Sequence, residues 1–191
     1  MILPIVAYGD PVLKKKAEEI TKDYPRLSEI IADMFDTMHN AKGVGLAAPQ
    51  IGLSIRLFVV DATPFAEDHE ELKNFIRVFI NVQFIKEDGA KWKFNEGCLS
   101  IPGVREDVFR KPEIELEYLD ENFVKHKEKF TGTGARIIQH EYDHIDGILF
   151  PDRISAMRRQ LIRNSLKSIS MGIVDVDYKM RFPLKKGSAV K

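Results

Sequence analysis

Residues 140–144 read His-Glu-Tyr-Asp-His, and no other five residues restrict the fold of this chain as much. On a helix, His140 and His144 stand one turn apart on one face. Two imidazoles so placed can grip one metal ion at about 2.0–2.1 Å. Glu141 lies about 100° around the helix from His140, near such an ion without having to ligate it, as a general base requires. Ile138, Tyr142 and Ile145 fall on the opposite side. A helix polar in front and apolar behind belongs at the centre of a molecule, and its buried Glu and His then need protein partners. The longer pattern H-E-x-x-H-x-x-G-x-x-H is followed through Gly147 and then broken, because Phe150 stands where a third histidine would be.

A catalytic metal needs a third protein ligand. Downstream of His144 the chain has no His, Cys or Glu, and only Asp146, Asp152, Asp175 and Asp177 carry a carboxylate. This disfavours the metallopeptidase arrangements that take a later His or Glu. Upstream stand His39, His69, His126, many carboxylates and Cys98. His69 lies in an acidic stretch and His126 in a K-H-K-E-K run, so both are expected to be exposed; His39 ends an amphipathic segment. Cys98 is set in Glu96-Gly97-Cys98-Leu99-Ser100. Its thiolate would suit Zn or Fe(II), and the glycine beside it permits close backbone approach. A lone Cys is more commonly a buried packing residue, so the residues alone leave the ligand open.

The rest of the chain reads as α+β. Leu27, Ile30, Ile31, Met34 and Met38 recur at helical spacing, with stop signals from Asn40 to Gly43. Ile55 to Val60 is a short apolar run that predicts a buried strand. Further strands are predicted at Val78 to Ile85, Lys91 to Phe94 and the alternating Glu113 to Leu119. Residues 61–74 predict an exposed acidic loop. A last helix is predicted over 154–169, with Ile154, Met157, Leu161, Ile162, Leu166 and Ile169 as its apolar stripe. Strands that precede one late histidine helix fit α+β better than a βαβ repeat.

The length of 191 residues with 44% hydrophobic and 30% charged residues suits one folded domain. Residues 1–170 are expected to form that domain, with 171–191 a basic C-terminal tail, frayed or disordered. The start M-I-L-P-I-V-A-Y-G-D-P lacks the features of a signal peptide, and no run approaches the length of a membrane span. One cysteine excludes an internal disulfide and fits a reduced, cytoplasmic setting. Charge is polarised: residues 153–191 carry ten Lys/Arg against two Asp, and residues 1–152 carry 19 against 27 acidic residues. A basic end on an acidic body is a candidate contact for RNA, although a solvated helix face gives the same pattern.

Gly43-Val44-Gly45-Leu46-Ala47-Ala48-Pro49-Gln50 contains the letters of a dinucleotide fingerprint, but it follows a helix and leads to a strand, the reverse of what that motif needs. It reads instead as a turn whose bare backbone can pair with an extended ligand, ending in an amide able to donate to an oxyanion; a plain structural loop fits as well. G-V-G-L-A-A-P-Q, E-G-C-L-S and Q-H-E-Y-D-H-I-D-G, in that order, together resemble the three signature motifs of the peptide deformylases. Tyr8-Gly9-Asp10-Pro11-Val12-Leu13 resembles that family's N-terminal region, and the resemblance covers roughly residues 1–153.

The resemblance implies antiparallel β-sheets packed around a central metal-binding α-helix, with a C-terminal helix. It implies a hydrolase that removes the N-formyl group from the initiator methionine of nascent polypeptides and releases formate. Carried over by position, the metal ligands are Cys98, His140 and His144, with water in the fourth place. Glu141 is the catalytic base and acid, and Gln50 and the Leu99 backbone N–H face the formyl oxygen. Val44, Gly45 and Gly97 hold the substrate. The implied cofactor is Fe(2+), which Zn(2+) or Ni(2+) can replace, and the ribosome is a candidate partner of the basic C-terminal region. One departure is Gly132-Thr133-Gly134-Ala135-Arg136, where many family members carry bulky apolar residues that line the methionine pocket. The segment holding the acidic loop is also longer than usual. A metallopeptidase, a thiol hydrolase with Cys98 as nucleophile, and a binding module with a structural metal are the competing readings.

Overall fold

The computed structural model describes residues 1–183. In chain order the elements are β1 (Ile5–Val6), α1 (Leu27–Asn40), β2 (Gly45–Ala47), β3 (Leu57–Asp61), β4 (Ile76–Asp88) and β5 (Trp92–Cys98). They continue with β6 (Ile101–Arg110), β7 (Glu113–Leu119), β8 (Lys125–Thr131), α2 (Gly132–Ile145), α3 (Ala156–Ser170) and β9 (Met180–Arg181). Among the described residues three sheets form: an antiparallel sheet in the order β2-β3-β4-β7-β8, the β5-β6 hairpin, and the parallel pair β1-β9. The α+β expectation holds, with the histidine helix at the centre.

The apolar run that predicts a buried strand is apolar because both its faces are covered. Leu57 and Val59 of β3 pack with Met34 and Met38 of α1. Phe58 and Val60 pack with Ile138 and Ile145 of α2. A strand sandwiched between two helices has no polar face to show, so its sequence does not alternate. On the far side of α2 the β5-β6 hairpin and α3 enclose a third cluster, with Val6, Leu13, Val108 and Leu166. Phe150 lies in that cluster at 1% exposure, a packing residue where the longer metal pattern would put a ligand.

The end of α2 explains Gly147. The Ile148 N–H donates to Asp143 O at 2.8 Å and the Gly147 N–H to His144 O at 3.2 Å. This pair of bonds closes a helix whose next residue turns left-handed, and Gly147 has φ +72°. A Cβ there would also come within 2.7 Å of Lys14 O.

Besides the short β1, β2 and β9, two longer strands escape the sequence reading for physical reasons. In β6 the inward positions include Glu106 and Arg110, both buried, so apolar alternation is interrupted. In β8 the residues are Lys-His-Lys-Glu-Lys-Phe-Thr and only Phe130 is buried; it is an edge strand, where charges discourage further pairing. The acidic stretch differs from a plain exposed loop. It contains two single turns of 3-10 helix, and Leu72 is buried. The stripe expected along the last helix is buried at Leu166 and Ile169, whereas Met157 and Leu161 stand 73% and 65% exposed. The expected tail from 171 is also revised. Residues 171–183 return to the body, with the Ile5 N–H on Lys179 O and the Ala7 N–H on Arg181 O, both 2.9 Å. Residues 184–191 lie outside the described residues.

Candidate metal centre

The three nominated ligands meet. His140 and His144 project from α2 with ring centroids 5.2 Å apart. Cys98 ends β5 and pairs with Ile101, which makes Leu99 and Ser100 the turn of the β5-β6 hairpin. The Cys98 Sγ lies 3.3 Å from His144 Nε2, and donor atoms of Cys98, His140 and His144 all fall within 4.8 Å of one another. One thiol and two imidazoles converging so closely fit a soft or borderline divalent metal. His39, His69 and His126 are elsewhere, beside Asp61 at 2.8 Å, Thr133 at 3.1 Å and Asp120 at 2.7 Å. The last two are half-exposed rather than free in solvent.

Glu96 orients the site. Its carboxylate takes His140 Nδ1 at 3.0 Å, Arg110 Nε at 2.7 Å and Nη2 at 3.0 Å, and Arg136 Nη1 at 3.0 Å. A carboxylate can only accept, so His140 carries its proton on Nδ1 and keeps Nε2 for the centre. Burial alone would raise the Glu96 carboxyl, but the bonds from His140 and Arg110 outweigh it and hold it well below the carboxylate range. Arg110 also donates to Asp143 at 2.7 Å, and Arg153 pairs with the same Asp143. Burial holds His144 well below the usual imidazole value, with the Arg110 guanidinium adding to it; a neutral imidazole is the form that ligates a metal.

Glu141 faces the same cavity, of about 840 Å³. Burial pushes its carboxyl up to about 7, and its Oε2 has no hydrogen-bond partner among the described residues. That oxygen can exchange a proton with a group entering the cavity. β2 passes directly over it: a Cβ on Gly45 would come within 2.4 Å of Glu141 Oε1. β2 is also the outer strand of its sheet, so one edge of its backbone is unpaired beside the cavity, as the glycine-rich stretch suggests. Gln50 is buried. Its Oε1 accepts from the Ala47 N–H at 2.8 Å, which turns Nε2 toward Ser100 Oγ at 3.2 Å and Cys98 Sγ at 3.6 Å. Val44, Gly97 and Leu99 line the same cavity. Sequence reasoning does not single out Glu96 or Arg110 as partners of the site. The one available signal was the pair of glutamate and arginine at inward positions of adjoining strands, visible only once those strands are known.

The family model for polypeptide deformylase matches residues 2–160. The chain belongs to the polypeptide deformylase family. It is 59% identical to the peptide deformylase of Christiangramia forsetii, over 97% of this chain and 98% of that one. It is 56% identical to that of Flavobacterium johnsoniae, with the same coverage. The crystal structure of a peptide deformylase from Legionella pneumophila superposes with a TM-score of 0.79 at 36% identity, covering 90% of this chain and 96% of that one. The deformylase is thus an enzyme that removes the N-formyl group from nascent polypeptides, and its Cys-His-His group fits a metal-dependent member of the family.

Glu96→Gln keeps the shape of the side chain and removes its charge. Metal affinity should fall about 10–100-fold, the usual loss when a ligand's hydrogen-bond partner is changed. Competition with a chromogenic chelator measures it; unchanged affinity would mean that packing alone orients His140.

Proposed function

We propose that deformylation is carried by Glu141 acting across the Cys98-His140-His144 centre from Gln50 and Leu99. The observation that carries this reading is the buried Glu141 Oε2, without a hydrogen-bond partner among the described residues, facing one cavity with Cys98 and His140, on which His144 converges as a third donor. Cys98, His140 and His144 hold the metal. When bound, it supplies a Lewis acid that polarises a carbonyl oxygen and lowers the pKa of water. Glu141 takes the proton of the attacking water and later gives it to the departing amine, so that formate and a free N-terminus leave. Gln50 Nε2 and the Leu99 N–H donate to the formyl oxygen as charge builds on it. The unpaired edge of β2 at Val44 and Gly45, with Gly97 opposite, holds the peptide main chain. Ferrous iron is the proposed working ion, with zinc or nickel able to take its place; a thiolate with two imidazoles accepts each of them.

The methionine side chain is assigned to the part of the cavity bordered by Val44, Phe65, Phe94 and Ile137. Phe65 comes from the segment between β3 and β4, which is fastened to the first turns of α2. His69 Nε2 lies 3.1 Å from Thr133 Oγ1, and a Cβ on Gly134 would sit 3.3 Å from Leu72 Cδ2. A small residue at 134 thus makes room for this segment, which supplies apolar wall to the pocket.

A nascent-chain substrate supports a cytoplasmic setting for the enzyme. No helix among the described residues is long and apolar enough to cross a membrane. Ribosome contact through the basic C-terminal region belongs to the same reading, in narrower form. Arg158 is engaged by Glu106 at 2.9 Å and Arg159 by Pro151 O at 2.8 Å, which leaves exposed Arg163 and Lys167, one turn apart on α3.

Four variants test this reading. In formate-release assays on formyl-Met peptides, Glu141→Ala keeps its metal and loses turnover, and Gln50→Ala loses about 10²–10³ in rate, as for one oxyanion donor; full turnover in either removes that residue from the mechanism. Gly134→Leu displaces Leu72 and with it Phe65, so KM for formyl-Met peptides rises more than kcat falls; an unchanged KM would detach the segment from the pocket. Reversing charge at Arg163 and Lys167 together should weaken co-sedimentation with ribosomes at low salt, where exposed charges act at longest range, while formate release stays as before. Undiminished co-sedimentation would take α3 out of the contact.

A further inference from the structure

The turn Leu99-Ser100 carries one metal ligand on its N-terminal side and one proposed oxyanion donor within it, and it is too short to hold itself. Between Gly97 and Cys98 the register of the β5-β6 pair shifts, so the regular ladder ends before the ligand. The turn is fixed from outside at three points. The Tyr8 N–H donates to Ser100 O at 2.8 Å, Gln50 Nε2 reaches Ser100 Oγ at 3.2 Å, and Tyr178 Oη donates to Leu99 O at 2.8 Å.

The third of these comes from an unexpected part of the chain. Tyr178 follows α3, beyond residue 160 where the match to the family model ends. Its segment is strapped down on both sides. Lys42 Nζ pairs with Asp177 at 2.8 Å, and β9 pairs with β1 immediately after it. Between these ties Asp175, Val176, Asp177 and Tyr178 line the same cavity as Glu141 and Cys98. The ring of Tyr178 is half-buried against the α1 side of the sheet, so its hydroxyl is delivered to Leu99 by a packed ring.

We propose that Tyr178 is a positioning residue for deformylation: by holding the Leu99 carbonyl it sets the turn that presents the Cys98 sulfur and the Leu99 N–H to the cleft, so that the segment after α3 completes the active site. The proposal rests on the reading of Leu99 as a donor to the formyl oxygen. Burial pushes the Tyr178 phenol above its ordinary range, so it keeps its proton at neutral pH and the carbonyl keeps its donor. Loss of that bond frees the turn to shift, and small misplacements of reacting groups are costly.

Tyr178→Phe removes one oxygen and keeps the ring. Formate release from a formyl-Met tripeptide by the metal-loaded enzyme should show kcat lowered roughly 10-fold, within the range that small misplacements cost, with KM nearly unchanged. Amide exchange at Leu99 and Ser100, followed by NMR on the folded protein, should speed up in the same variant. A purely structural role would lower thermal stability and leave kcat per folded enzyme alone. Unchanged kcat overturns the proposal, as does a rise in KM with kcat intact. Gln50→Ala run alongside separates the causes: if it is slow and Tyr178→Phe is not, only the positioning role fails; if neither is slow, the assignment of the oxyanion donors fails as well.

Discussion

The Glu96 carboxylate is the interaction on which this structure depends. It sits on β5, two residues before Cys98, and binds His140 of α2, Arg110 at the end of β6 and Arg136 of α2. A buried carboxylate is expensive unless every oxygen is satisfied, and here both oxygens are. One contact therefore sets the orientation of His140, and the strand that makes it delivers Cys98 to the same point. Arg110 extends the network to Asp143, inside the His140–His144 stretch, and Arg153 closes it from beyond the helix. Removing one member of such a network strands its partners in a dry interior, at a cost of about 3–5 kcal/mol for a broken buried pair. The metal helix and the hairpin are held together by charge, with apolar packing confined to the other sides of α2.

That arrangement explains what could and could not be read from the residues. Helix α1 and strand β7 follow hydrophobic periodicity because their inward faces are apolar, and β3 reads as one apolar run because both its faces are covered. Strand β6 does not, since Glu106 and Arg110 occupy inward positions, and β8 is charged because it is an edge. The histidine helix was legible from five residues, and its buried back face from Ile138 and Ile145. The third ligand was another matter. A census of side chains leaves Cys98 among several candidates, and only the ordered set of three motifs nominated it. The physical reason is that Cys98 is brought to the histidines by a strand pairing about forty residues upstream, which local periodicity cannot report. Phe150 illustrates the converse: its place in a familiar spacing suggested a ligand, and its neighbours make it core.

Glycine at 45 shows how closely chemistry and backbone are fitted. Any side chain there would collide with Glu141, so the strand can run close enough to the carboxylate for its unpaired edge to face the same cavity. This also accounts for the failure of the fingerprint reading of residues 43–48. The glycines bring main chain to a carboxylate and to Leu99, whose Cδ1 would lie 2.7 Å from a Cβ on Gly43; the stretch leads into a single 3-10 turn at Ala48–Ile51 and opens no α-helix whose N-terminus could bind phosphate.

The cavity joins two kinds of wall. The groups nominated for chemistry stand on α2, on the β5-β6 hairpin and on the short turn holding Gln50, each locked by buried hydrogen bonds. The remaining walls, at Phe65 and at 175–178, come from connecting segments fastened at a few points, through Leu72 and His69 on one side and through Lys42 and β9 on the other. Rigid elements preserve sub-ångström geometry, and connecting segments can vary without disturbing it. Variation in length between β3 and β4, or after α3, can therefore reshape what the cleft admits while the Glu96 network keeps the centre unchanged. The 61–74 segment and the returning C-terminal strap, both unreadable as functional parts from composition, take their meaning from that division.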